Sequence, residues 1–153
     1  MATRQPAYTA AATMTMTMAS LAAASARRGA TITNSSNKFL NVLMHVAFLT
    51  GTVTTPATGS LYVYASGNDA STFETGGSTD AAYTMRGSER LVGVETATAN
   101  TTTYHVLGSI AAAYDGFMPR DWGPIFLNTN LGTLSSTEGN HTKHYTGLTE
   151  TVA

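Results

Sequence analysis

The sequence predicts an all-β domain, an antiparallel β-sandwich or barrel carrying an extended N-terminal arm. Three observations lead there. Charged residues make up only 11% of the 153 residues, less than half the usual fraction. Thr, Ser, Asn and 14 Gly replace them, and a side chain branched at Cβ, as in Thr, fits a pleated surface better than a helix. The apolar residues fall into short runs of period two between turns rich in Gly, Pro and Asn, a pattern of about seven to nine strands. The third observation is that residues 1–29 stand apart as Ala, Thr, Met and Ser, almost without large aliphatic side chains.

The chain is long enough for one domain with a real core, divided here into an arm (1–29) and a β-sandwich domain (30–153). Eight Lys and Arg against nine Asp and Glu leave a net charge of −1. That leaves no cationic surplus for phosphate, so nucleic acid is not an expected partner, and so small a net charge makes association easy. Cys is absent, which excludes disulfides and thiolate metal sites and suits a reducing compartment. No apolar run approaches bilayer length, so no membrane partner is expected. The first thirty residues loosely imitate a secretory signal, but Thr interrupts the would-be apolar stretch, and no signal is expected.

Within the arm, Thr13-Met14-Thr15-Met16-Thr17-Met18 alternates with period two, placing three Met on one face and three Thr on the other. Unbranched thioethers adapt to irregular surfaces, so this stripe reads equally as an interface and as a strand of the domain's own sheet. Residues 20–26 suit a short helical turn ending at Arg27-Arg28-Gly29, with cations and Gly where a helix end favours them. A domain this small has little surface to order so long an arm, and a neighbouring subunit is expected to hold it.

Strands are then expected at 30–33, 39–50, 61–66, 81–85, 90–96, 101–113 and 141–152. In 39–50, Leu40, Val42, Met44, Val46 and Phe48 form an all-apolar face. Loops fall at 34–37, at 51–59 around Pro56 and at 67–70, and 71–80 reads as a weak strand with a Gly-Gly loop. Leu91 and Val94 are the expected anchors of 90–96; Tyr104, Val106, Ile110 and Ala112 share one face of 101–113. Residues 114–134 contain the only Trp, Trp122, with Pro119 and Pro124, and are expected to turn a corner into the late core strand Ile125-Phe126-Leu127. Gly147 is the expected site of a bulge in the last strand.

Candidate chemistry is sparse. His141 and His144, with Glu138 nearby, point to opposite faces of a strand, so no metal site is expected and two surface histidines are. His45 and His105 sit in strong strands with no Ser or Cys motif beside them, and are expected to be hydrogen-bonded rather than catalytic. Asp69, Glu74 and Asp80 lack calcium-loop spacing and read as turn residues. No catalytic residue, cofactor site or small-molecule substrate is expected, and the chain is read as a non-enzyme. Arg120-Asp121-Trp122 offers an exposed aromatic anchor, or else Trp122 caps the end of the core. The expected partner-binding residues are Met14, Met16, Met18, Leu21, Arg27 and Arg28 of the arm, with Arg120 and Trp122.

The order of motifs resembles small virion proteins of tailed bacteriophages. It is carried by Tyr62-Val63-Tyr64-Ala65-Ser66-Gly67-Asn68-Asp69, Leu91-Val92-Gly93-Val94, Pro119-Arg120-Asp121-Trp122-Gly123, Asn128-Thr129-Asn130-Leu131-Gly132 and Tyr145-Thr146-Gly147-Leu148-Thr149-Glu150-Thr151-Val152, spanning about residues 38–153. Pro124 directly after Trp122-Gly123 and the long arm depart from that pattern. The resemblance implies a jelly-roll capsid decoration (cement) protein, a homotrimer on the capsid surface, made in the host cytoplasm and bound to the major capsid protein and to copies of itself. A tail or head-tail connector component is the alternative within this class. A carbohydrate- or receptor-binding sandwich is the alternative outside it, and requires exposed aromatics among Tyr62, Tyr64, Tyr83 and Trp122.

Overall fold

The computed structural model describes residues 4–66, 73–74 and 76–152. The fold is an all-β sandwich of two antiparallel sheets. The first sheet runs β1 (Arg4–Tyr8), β11 (Thr142–Val152), β5 (Asn41–Leu49), β9 (Thr103–Ser109), with β2 (Ala12–Thr13) also on β11. The second runs β7 (Ala81–Tyr83), β3 (Ser25–Arg28), β10 (Asp121–Thr129), β6 (Thr58–Ala65), β8 (Arg90–Thr96), with β4 (Ile32–Thr33) also on β10. Strands adjacent in sequence mostly lie in opposite sheets, so the chain winds around the core rather than meandering across one face.

Alternation decides the core. Val42, Met44, Val46 and Phe48 of β5 are fully buried and meet Leu61 and Val63 of β6, Val106 of β9 and Trp122 and Phe126 of β10. Phe48 and Phe126 pack with ring centroids 5.0 Å apart, within the favourable range for aromatic pairs. Leu40, expected on this face, precedes the strand and is half-exposed.

The N-terminal segment is part of this sandwich, which corrects its reading as a separate arm. Residues 4–13 run antiparallel along β11, with Arg4 opposite Val152 and Thr13 opposite His144. The chain then crosses between the sheets as an extended strap and re-enters as β3, pairing Ile125 with Arg28 and Asn128 with Ser25. The expected Met and Thr alternation is present in the strap. Met14, Met16 and Met18 are 1%, 3% and 0% exposed, while Thr13, Thr15 and Thr17 face solvent. The helical turn expected at 20–26 does not form: Ser20 and Ala24 both adopt φ 57°, outside the helical region, and residues from 25 onward take ladder bonds from β10 instead.

Where β3 gives way to β4, β10 tolerates a proline in mid-sheet. The Pro124 carbonyl accepts from Gly29 N at 2.8 Å, so the ring nitrogen faces the same gap, where no partner needs its missing N–H. A Cβ on Gly29 would stand 2.7 Å from the Pro124 ring, so Gly29 makes room for it. Trp122 and Pro124 thus lie inside a central strand, not at a corner before it.

Three further expectations change. The Ala-rich end of the strand expected at 101–113 is a short helix, α1 (Ile110–Ala113), because Ala favours helix and Ser109 caps it by accepting from Ala112 N. The register of β8 on β6 slips at Leu61/Tyr62, so Leu91 lies opposite Tyr62 and Val94 opposite Ser60. Both therefore face outward, about half-exposed, and Val92 packs inward in their place. Gly147 marks no bulge: its ladder with β5 is continuous, and a Cβ there would overlap the Phe39 ring. The turn expected at 67–70 lies outside the described residues, as does most of 71–75.

Candidate interaction surface

The two outer faces of the sandwich differ. On the second sheet, Tyr64 lies across Gly123, where a Cβ would overlap its ring; its hydroxyl donates to the Gly29 carbonyl at 2.9 Å. Tyr64 and Ile125 are fully buried there, packed with Phe73, Tyr83 and Met85 of the chain between β6 and β8. Phe73, Tyr83 and Met85 thereby cover the middle of this outer face, with β7 paired to β3 at its far edge.

Among the described residues, nothing covers the outer face of the first sheet in the same way. Its outward positions on β9, β5 and β11, between Thr103–Ser109, Asn41–Leu49 and 142–148, hold no Asp, Glu, Lys or Arg. Leu107 is 63% exposed and Leu43 46% exposed, with His45 and His144 paired between their rows. Among the described residues, formal charge on this face lies at the sheet's end, where Arg4 and Glu150 pair at 2.9 Å with both side chains accessible to water. A face this open and this poor in charge has the composition of a surface that another macromolecule can cover.

Two carboxylates hold the strap against the sandwich. Asp80 accepts from Thr17 N at 3.0 Å, from Thr17 Oγ1 at 2.5 Å and from Arg27 Nε at 2.5 Å. Glu138 Oε2 accepts from Met18 N at 2.9 Å and Ala19 N at 2.6 Å, while Oε1 takes the ammonium of the buried Lys143. Burial pushes both carboxyls up. For Asp80 the Arg27 and Thr17 donors outweigh it; for Glu138 the Lys143 ammonium and the Ala19 and Met18 amides do. Both therefore titrate below the ordinary carboxylate values. The unfolded chain then binds more protons, so this stabilisation is full above the ordinary values and is lost as pH falls through the folded ones. Glu138→Gln strands the Lys143 ammonium. Because Glu138 is 41% exposed, screening holds the expected cost to about 2 kcal/mol at pH 7. Urea titrations should show the gap from wild type narrowing as pH drops below 4.5, the ordinary Glu value.

The expected site residues do not gather into one surface. Met14, Met16 and Met18 belong to the core, and Leu21 packs half-buried against it. Arg27 is paired with Asp80. Arg28 donates to the Thr79 carbonyl at 3.0 Å and lies 5.8 Å from the Tyr83 ring centroid. Arg120 is half-exposed and 3.5 Å from Asp121, and Trp122 is fully buried with its ring 5.3 Å from that of Tyr145. Trp122 is therefore a core residue and not an exposed anchor. His141, expected at the surface, is 4% exposed, receiving Leu49 N at its Nδ1. Of the four aromatics that the carbohydrate-binding alternative calls on, Tyr64 and Trp122 are fully buried and Tyr62 and Tyr83 are half-buried.

Among the described residues no three His, Cys, Asp or Glu converge on a metal position, and no cavity opens between the sheets. No helix among them is long and apolar enough to cross a membrane. No protein-family model matches the chain, and no curated protein matches it.

Proposed function

We propose that this chain is a non-enzymatic virion structural protein, a decoration (cement) protein that binds and stabilises the capsid shell of a tailed phage. The observation that carries the reading is the open, uncharged face of the first sheet in a chain whose motif order resembles phage virion proteins. A flat face without charge has little desolvation cost to offset when a partner covers it. The strand order supports the reading. Merging β1 with β2 and β3 with β4, and setting aside the added edge strand β7, eight strands in chain order pair as 1-8-3-6 and 2-7-4-5, the winding of a jelly roll. The partners are the major capsid protein and copies of the chain itself, as a homotrimer; neither nucleic acid nor a small-molecule substrate takes part.

In this reading the first sheet's outer face seats on the shell. The substitution expected to matter is therefore the introduction of charge by Leu43→Asp with Leu107→Asp. Both side chains are exposed, so the double variant should stay within about 0.5 kcal/mol of wild-type stability while losing capsid occupancy. The deciding measurement is a cryo-EM map of the native particle. Density for this fold on the shell exterior, first sheet inward, is the expected result. Density in the tail or at the portal would replace this reading with the tail or connector alternative, and a particle without the chain would end both.

A further inference from the structure

We propose that His45 and His105 form a binding site for a borderline divalent transition metal, of the Zn2+ or Ni2+ class, on the open face of the first sheet. The two residues lie diagonally across the β5–β9 ladder, since His45 pairs with Leu107 and His105 with Ala47. His45 Nε2 and His105 Nδ1 are 3.0 Å apart. The ring planes differ by 3° and the centroids are 5.2 Å apart, a separation that the nitrogen–nitrogen line nearly accounts for. The rings are thus edge to edge in almost one plane, not face to face. One proton occupies the space between the nitrogens, and the nitrogen that accepts it presents a lone pair.

A metal ion takes that place once the donor ring shifts to its other neutral tautomer, the proton passing through solvent to that ring's outer nitrogen. Two cis nitrogens bound to an ion at about 2.0–2.1 Å stand roughly 2.9–3.3 Å apart, and this pair already has that spacing. An ion about 2.0–2.1 Å from both nitrogens lies off the line joining them, so each of these accessible rings turns by roughly 45° to direct its lone pair at the ion. Neutral imidazole is the ligand form. The surrounding outward positions carry neither a competing cation nor a carboxylate. That composition selects nitrogen-preferring ions over Mg2+ or Ca2+. With two protein ligands, water fills the remaining positions, leaving room for a ligand from a partner.

The test is calorimetric titration of the full chain with NiCl2 at pH 7.5. Wild type should bind one ion per chain. His45→Gln and His105→Ala should each weaken binding by about tenfold or more, and His144→Ala should stay within about twofold of wild type. Lowering the pH to 5.5 should weaken the wild-type site, because protons compete for the same nitrogens. Circular dichroism of each variant confirms the fold, which these accessible positions do not hold together. Equal affinity in wild type, H45Q and H105A overturns the proposal. So does the absence of binding at millimolar Ni2+, or a loss of binding confined to H144A.

Discussion

Deleting residues 1–29 should abolish folding rather than yield a trimmed, soluble domain. Met14, Met16 and Met18 are at most 3% exposed, and removing a buried Met side chain costs about 2–5 kcal/mol. Three of them approach the roughly 5–15 kcal/mol by which a whole domain is stable. The deletion also strips β11 of its β1 and β2 partners and β10 of β3, leaving two central strands with bare edges. The expected result is aggregation or a chain without near-ultraviolet circular dichroism. A cooperative unfolding transition in the truncated chain would show the strap to be dispensable. A milder form, M14A/M18A, should fold but lose about 4–8 kcal/mol, read as a lower urea midpoint.

The second large effect lies on the opposite side of the sandwich. There β8 and β9, the last strands of the two sheets, meet backbone to backbone through Gly93 and Gly108 without a ladder between them. A Cβ on Gly108 would overlap the Val92 carbonyl, and one on Gly93 the Leu107 carbonyl. Backbone atoms cannot swing aside as a side chain does, so Gly108→Val should force the sheets apart at this seam. The expected cost is about 3 kcal/mol or more, measured by urea denaturation. Gly116, where an added Cβ meets nothing within 4 Å, is the contrasting site. Its positive φ of 93° makes Gly116→Ala costly by backbone strain alone, about 1 kcal/mol. Equal losses at the two glycines would refute the seam.

The central strands were legible because their partners are encoded locally as alternation. The inward set of β5 could be read from Val42, Met44, Val46 and Phe48 alone. The strap's Met stripe was legible for the same reason, but not its destination: Met14 N donates to Lys143 O, far along the chain, and Ala, Thr and Met do not announce a core. Leu91 and Val94 misled because a register slip in a strand leaves no mark in its composition. Trp122 looked like an anchor because a rare residue beside Arg and Pro resembles one. Its ladder positions, opposite Ile32 of β4 on one side and Ala65 of β6 on the other, place it inside. The His45–His105 pair was invisible for a plainer reason. Each lay in a recognised strand, but pairing β5 with β9 and setting the register requires the fold.

Arg4 opposite Val152, Tyr8 opposite Leu148 and Thr13 opposite His144 join segments at great separation along the sequence. Contacts of that kind slow folding. At ordinary ribosomal speeds, translation of the chain takes roughly ten to thirty seconds, during which the Met and Thr alternation has no mate. The sandwich therefore cannot close until β11 has emerged to pair with β1 and β2. Until then the nascent chain exposes an uncharged, strand-forming segment, which is a substrate for chaperones and a nucleus for aggregation.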